Sequence, residues 1–405
     1  MDTEGQIIID KKSKEFRRKN IIEIAELIVN NYENHNKKLY FFIFIVLLIN
    51  FGIINYIYIY KKEQKDKAIG KKIKNIINNA YMESEELPEI AYEKFDENIF
   101  QEVKKQQTKF CNEQNKYIKF QFEKQIKLAN ASFLNKSFDM YIYENQDLVS
   151  KIIRFGQSWE STETRNLIKA LNYYSSLKNI SNDNIYIIDI GANVGWYTLF
   201  LAKIGYQVLS FEASVVNIYI LRKNLCLNPD LNITLINKGL FTEEKKCDYY
   251  LNSGNIGNGM IQCNKNGTVS FEFTKSSEAY LTKLSNYVEF LSTKNLALIK
   301  IDNEGSEGKA IKSEIELITN YHVPFIFLEF TPKFLVLHET DPLKFLEMFE
   351  INGYKFPKNH FFDNDYYSNQ EIMEKTKNGR SINLYIVYSN IIKSEEKNIT
   401  NNPYI

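Results

Sequence analysis

The stretch Ile185-Tyr-Ile-Ile-Asp-Ile-Gly-Ala-Asn-Val-Gly195 constrains this chain more than any other. An apolar strand ends in an acid and breaks at once into a glycine turn. A helical pattern over residues 196–204 follows. Glu212 then closes a second apolar run at 208–211. Strand, glycine turn, helix, strand and terminal acid are the parts of a nucleotide-type pocket. The glycines let backbone approach a ligand, and the acid accepts hydrogen bonds from ribose hydroxyls.

Each residue of the turn has a job in that reading and a plainer one beside it. Asp189 holds a ligand ammonium or braces the turn. Gly191 and Gly195 permit backbone conformations that a Cβ hinders. Asn193 bonds a ligand carboxylate or caps the next helix. Glu212, placed roughly twenty residues beyond the turn, favours the ligand over a bare strand–helix junction. Asn193 fills the middle position of a dinucleotide G-x-G-x-x-G, and no Gly-Lys-Ser/Thr follows as in a P-loop. What remains suits a ligand with amino-acid and ribose ends, such as S-adenosylmethionine.

A second constellation is Leu298-Ile-Lys-Ile-Asp-Asn-Glu-Gly-Ser-Glu307. Alternation along a strand puts Lys300 and Asp302 on one side and Ile299 and Ile301 on the other. Asp302 thereby reaches the carboxyl edge of the sheet, where open α/β sheets bind ligands. Glu304 and Glu307 flank Gly305 on the next turn. Neighbouring carboxylates raise one another's pKa and make a general base available. The plainer role of these acids is at the positive end of a helix dipole. Glu329 ends the following strand and faces the same edge. Trp159 and Glu160 come from a preceding helical region that folds over the cleft as a lid or packs into the core. With only four histidines and no ligand spacing, a metal site from these acids and His322 or His338 is not expected.

Strands expected at 185–190, 207–211, 234–237, 297–301 and 325–329 alternate with helices at 196–204, 217–225, 309–319 and 342–352. The pattern implies a mainly parallel, doubly covered sheet. Segments 354–356 and 382–388 add an antiparallel edge pair. Residues 251–274 read as an irregular excursion or small hairpin.

The globular region is expected over 138–392, after a polar tail (1–38), a membrane helix (39–60) and a polar stem (61–137), with a second tail at 393–405. Residues 39–60 contain no charged side chain. As a helix they extend about 33 Å, enough to cross a bilayer. Lys61-Lys62 stands where a signal peptide has its small-residue cleavage site. Orientation is contradictory. Lysines just after the span favour a cytoplasmic C-terminal side. Sequons at Asn130, Asn135, Asn179, Asn232, Asn266 and Asn398 suit a lumenal domain. The formal net charge of +1 gives no reason to expect a nucleic-acid partner. The four cysteines contain no C-x-x-C pair, and Cys226 reads as a buried free thiol in a helix. Asn402-Pro-Tyr404 is an incomplete N-P-P-Y element lying beyond every expected strand.

Taken in order, Asp189 to Gly195, Phe211-Glu212 and Lys300 to Glu307 resemble the FkbM family of S-adenosylmethionine-dependent methyltransferases. Trp159-Glu160, Leu328-Glu329 and Gly353-Tyr354 add to the likeness, which spans about Asp147 to Tyr388. The resemblance implies a Rossmann-like methyltransferase fold and O-methylation of a glycan or small-metabolite hydroxyl. Gly191, Asn193 and Gly195 would line the cofactor, Glu212 would hold its ribose, and Asp302 and Glu304 would lie near methyl transfer. Asn303 stands where the family has an apolar residue, and Ala213-Ser214 where a proline is common. The expectation is a membrane-anchored O-methyltransferase. The alternatives are a tethered binding protein that kept the fold without catalysis and a nicotinamide oxidoreductase, which the turn at Asn193 opposes.

Overall fold

A computed structural model describes residues 94–113, 125–144, 147–252, 254–263, 273–302, 321–337 and 339–393. The expected membrane helix at 39–60, the helix at 309–319, the acids Glu304 and Glu307 and the Asn402-Pro-Tyr404 element lie outside them. Among the described residues no helix is long and apolar enough to cross a membrane.

The described chain starts with helix α1 (Glu97–Asn112), the hairpin β1 (Ile126–Phe133) and β2 (Lys136–Tyr143), then α2 (Leu148–Arg154) and α3 (Ser161–Lys178). Asp96 and Asp147 begin α1 and α2 by accepting the backbone N–H three residues on. Alternation of strand and helix follows: β3 (Ile185–Ile190), α4 (Trp196–Lys203), β4 (Gln207–Phe211), α5 (Val215–Leu227) and β5 (Ile233–Ile236). Four strands come next, β6 (Gly239–Leu240), β7 (Lys245–Asn252), β8 (Asn255–Gln262) and β9 (Phe273–Thr282). Helix α6 (Val288–Ser292) leads to β10 (Asn295–Ile301) and β11 (Phe325–Phe330). The chain continues through α7 (Pro332–Leu337), α8 (Pro342–Ile351), β12 (Tyr354–Lys355), α9 (Asn369–Lys375), β13 (Ile382–Tyr388) and α10 (Ser389–Lys393).

Seven strands form the main sheet in the order β12-β13-β11-β10-β3-β4-β5. The five from β11 to β5 run parallel, and β13 and β12 join antiparallel, as the sequence led us to expect. All six residues of β3 are buried. A strand buried on both faces needs an unbroken apolar run, which is why β3 is so plain in the sequence. Two hydrophobic clusters cover the two faces. Ile187, Val208, Leu298 and Phe327 belong to one, and Ile188, Leu209, Ile299 and Ile326 to the other. The chain order reverses where β10 and β4 flank β3, so the loops after these strands meet over one cleft.

Three expectations need revision. Of the two readings of residues 251–274, the hairpin holds for β7–β8 and the irregular excursion does not. The described part of this segment belongs to a four-stranded sheet, β6-β9-β7-β8, inserted between β5 and β10. Asn255-Ile-Gly-Asn-Gly lacks the apolar alternation that marks a half-buried strand, so β8 was hidden. Cys226 is not a free thiol. It bridges Cys111 from α1 to α5, and Cys247–Cys263 links β7 to the end of β8. The described end of the expected stem is built into the domain. Phe95, Phe100 and Phe110 are buried, each contributing about 2 kcal/mol by burial. Phe95 packs on Tyr287 and Phe290, and Phe110 meets Tyr219 edge-on. The boundary expected at residue 138 falls within the β1–β2 pairing.

Candidate active site

The turn after β3 is held by its own side chains. Asp189 is completely buried, and its Oδ2 accepts a 2.6 Å hydrogen bond from the Thr198 hydroxyl of α4. Thr198 in turn lies 2.8 Å from the Ser210 hydroxyl on β4. One carboxylate oxygen therefore braces the strand against the helix. The other, Oδ1, has no hydrogen bond, although the Lys300 ammonium lies 3.5 Å away.

Gly191, Asn193 and Gly195 all have positive φ, at 74°, 54° and 98°. At Gly195 a Cβ would stand 2.4 Å from Leu221 Cδ1, so helix packing as well as φ demands glycine. Gly191 and Ala192 donate to the carbonyl of Phe211, tying the turn to the end of β4. Asn193 does not cap the helix, whose N-cap is Gly195; its Oδ1 accepts from the N–H of Val194 within the turn at 2.7 Å. Its own N–H donates to Glu212 Oε2 at 2.7 Å.

Glu212 is the hub of the two loops. Besides Asn193, it accepts from the N–H groups of Ala213 (3.0 Å) and Ser214 (2.7 Å). It is only 5% exposed. Burial pushes its carboxyl up to about 7, against the pull of these hydrogen bonds. Each carboxylate oxygen carries two acceptor sites; Oε1 takes Ala213 and Ser214, so a ribose hydroxyl would meet Oε2, beside the Asn193 N–H.

Lys300 and Asp302 arrive from β10 on the same side of the strand. Lys300 donates to the Gly191 carbonyl at 3.0 Å and to Asp302 Oδ2 at 3.5 Å. Burial would lower its pKa, but Asp302 and Asp189 outweigh burial and hold the ammonium above the usual lysine value. Asp302 Oδ1 has no hydrogen bond.

Glu160 joins this group from the chain before α3. Its backbone is left-handed (φ 41°) at the start of a helix that its side chain does not cap. The side chain instead accepts from the Tyr197 hydroxyl at 2.6 Å and the Asn383 amide at 3.3 Å. A strained backbone held at a cluster of polar groups is a mark of function. Burial raises the Glu160 pKa; the Tyr197 hydrogen bond opposes this, Asp302 adds to it and Lys300 opposes it. Trp159 packs partly buried against the core, leaving the polar role to Glu160. Glu329 pairs in register with Asn383, which puts it at the same edge.

These elements surround a cleft holding about 440 Å³ of open space. Gly191, Asn193, Glu212 and Asp302 line it from the main sheet, with Ala213 and Asn217 behind them. The inserted sheet supplies Tyr249, Gly257, Asn258, Gly259 and Ile261. Gly257 passes so close that a Cβ there would overlap Asp147 Oδ1, at 2.0 Å. Its carbonyl accepts from Asn217 Nδ2 at 3.1 Å, and Asn217 Oδ1 accepts from the Tyr143 hydroxyl at 2.6 Å. Asn258 Oδ1 and Asp147 Oδ1 are buried without hydrogen bonds. Three acceptor oxygens without hydrogen bonds in or beside the cleft, those of Asp147, Asn258 and Asp302, fit a ligand that brings an ammonium, hydroxyls and an exocyclic amine. S-adenosylmethionine brings all three.

Of the residues expected at the site, Gly191, Asn193, Glu212 and Asp302 line the cleft; Asp189 and Gly195 belong to the same turn but do not line it, and Glu304 lies outside the described residues. Sequence reasoning missed the contribution of the inserted sheet, of Asn383 and of Asp147. The Gly257-Asn-Gly259 triplet was the available signal, because paired glycines in a strand mark close backbone approach.

Residues 189–356 match the family model described as the methyltransferase FkbM domain. No curated protein matches the chain. Among solved structures, the bifunctional kinase-methyltransferase WbdD is similar with 12% identity and a TM-score of 0.32, over 56% of this chain and 39% of WbdD. This chain thus spans less than half the length of WbdD. The magnesium protoporphyrin IX methyltransferase of Synechocystis PCC 6803, solved with bound SAM, aligns at 12% identity and TM-score 0.30, over 60% of this chain and 84% of that one. The Pyrococcus abyssi tRNA (uracil-54, C5)-methyltransferase, solved with S-adenosyl-L-homocysteine, aligns at 13% identity and TM-score 0.29, over 65% and 44%.

Proposed function

With an FkbM methyltransferase domain over residues 189–356, we propose that this chain is a membrane-anchored, S-adenosylmethionine-dependent O-methyltransferase acting on a glycan or small-metabolite hydroxyl. The observation that supports it most is the joining of the turn after β3, the Glu212 hub and Asp302 around one cleft.

The cofactor supplies a methyl group already activated on a sulfonium. The protein's work is therefore alignment, proton removal and exclusion of water. Asp189, fully buried and facing Lys300, braces the turn, and Glu212 would receive a ribose hydroxyl at Oε2. The glycines of β8 close the cleft without filling it. Lys300 fixes Asp302 against the turn, so the acid meets the acceptor side of the cleft in one position. Attack by the acceptor oxygen needs a base for its proton, and Asp302 and Glu160, with Glu329 at the same edge, are the carboxylates placed to take it. Glu304 completes the acidic group in the reading that the family resemblance implies.

Calorimetric titration with S-adenosylhomocysteine, followed by transfer of labelled methyl to a panel of glycans and alcohols, tests the proposal. Binding together with alkali-stable methyl transfer supports it. Absence of binding overturns it. Binding without transfer to any hydroxyl supports instead a tethered binding protein that kept the fold.

A further inference from the structure

We infer that the catalytic domain resides in an oxidising, glycosylating lumen and carries asparagine-linked glycans at Asn135 and Asn179.

The first observation is covalent. All four cysteines are paired, as Cys111–Cys226 and Cys247–Cys263. Cytosolic proteins keep such thiols reduced, apart from transient catalytic or sensing pairs and proteins of hyperthermophiles. The spacings of 115 and 16 residues are not those of a C-x-x-C redox pair. The Asn-rich composition is the opposite of the hyperthermophile trend. These bridges tie secondary structure rather than a reactive site. Cys111–Cys226 fastens α1 to α5, the helix that follows Glu212 and carries Asn217. Cys247–Cys263 fastens the strands whose glycines cover the cleft. Each bridge forms by loss of two protons and two electrons from two thiols. The electrons pass to the disulfide of a lumenal thiol–disulfide oxidoreductase.

The second observation is independent of the first. Four of the six sequons fall on described residues, and the asparagine is exposed in each. Asn130 lies within β1 and donates its amide to Asp139 at 2.8 Å. At Asn232 the sequon's hydroxyl residue, Thr234, is buried in β5. The other two have neither obstacle. Asn135 sits at the tip of the β1–β2 hairpin with φ 59°, and Ser137 beside it is exposed. Asn179 ends α3 with φ 53°, and Ser181 is exposed. Both side chains project from convex turns where a large sugar adds no burial. The modification joins the asparagine amide nitrogen to the sugar's C1. It breaks the C1–O bond to a polyprenyl diphosphate carrier and releases the amide proton.

This resolves the contradiction between the flanking lysines and the sequons in favour of the lumen. On the methyltransferase reading, the acceptor is then a glycoconjugate hydroxyl available in that compartment. The compartment itself does not depend on that reading.

The test is expression of the full chain in yeast, with two readouts. Alkylation of the denatured protein by a maleimide–polyethylene glycol is expected to add nothing before reduction and four groups after it. Peptide-N-glycosidase is expected to increase mobility, with two steps lost in Asn135→Gln plus Asn179→Gln and none lost in Asn232→Gln. Four reactive thiols without reductant overturn the lumenal assignment. Bridged cysteines with no glycosidase shift, or a full shift persisting in the double variant, overturn the glycan assignment. S-adenosylhomocysteine binding, measured on the same preparations, reports the cofactor reading separately.

Discussion

The Lys300 ammonium lies 3.5 Å from the Asp189 carboxylate, with side-chain exposures of 5% and 0%. This buried pair joins the two strands that carry the cofactor turn and the candidate base. Breaking it leaves an uncompensated charge in the interior. Lys300→Met is expected to lower unfolding free energy by roughly 3–5 kcal/mol in urea denaturation. Asp189→Asn combined with Lys300→Met is expected to recover part of that loss. A single variant as stable as the parent contradicts the role given to this pair.

Glu212 sets a pH dependence whose sign is opposite to that of an ordinary ion-paired carboxylate. Its folded value, about 7, lies above the ordinary glutamate value of 4.5 because burial disfavours the charge. The folded protein therefore holds a proton that the unfolded chain releases. This contribution to stability is full below the ordinary carboxylate value and is lost as pH rises through about 7. The loss amounts to roughly 3 kcal/mol across that window. Ribose hydroxyls favour the ionised form, so S-adenosylhomocysteine affinity should rise about tenfold per pH unit up to about 7 and then level off. Calorimetry in buffers of differing ionisation enthalpy measures the proton released. Glu212→Gln should flatten both profiles.

Glu160→Gln separates acceptor chemistry from cofactor binding. The amide oxygen can still accept from Asn383 and its NH2 can donate to the Tyr197 oxygen, but the group cannot take a proton. Turnover on an acceptor glycan is expected to fall about a hundredfold or more, while S-adenosylhomocysteine affinity stays within about twofold. Equal loss of both, with a lowered melting temperature, marks Glu160 as structural.

Local signals explain what was legible. Ile185 to Ile190 is buried on both faces and so is apolar throughout, and Gly191 and Gly195 are forced by positive φ. Both demands act within a few residues, and the sequence records them directly. Glu160 meets Asn383 across 223 residues, and Cys111 meets Cys226 across 115. No spacing rule reaches that far. Helix α1 docks through Phe100 and Phe110 with the preceding Phe95, leaving an otherwise polar helix that reads as a stem. Strand β8 hides for a different reason. Gly257 and Gly259 sacrifice strand propensity so that backbone can approach the cleft.

The disulfide between Cys111 and Cys226 closes a loop of about a hundred residues and constrains the unfolded chain accordingly. Cys111→Ser with Cys226→Ser is expected to cost roughly 4–5 kcal/mol, against about 3 for the shorter loop between Cys247 and Cys263. Urea midpoints at constant slope measure both. A larger effect from the shorter loop contradicts the ordering.

The most direct measurement is titration of the full chain in detergent with S-adenosylhomocysteine, beside the Glu212→Ala and Asp302→Ala variants. One site per chain is expected. Binding should be lost in Glu212→Ala and kept in Asp302→Ala, where labelled-methyl transfer disappears. No binding by the parent protein, or binding unaffected by Glu212→Ala, contradicts the cleft between β3, β4 and β10 as the cofactor site.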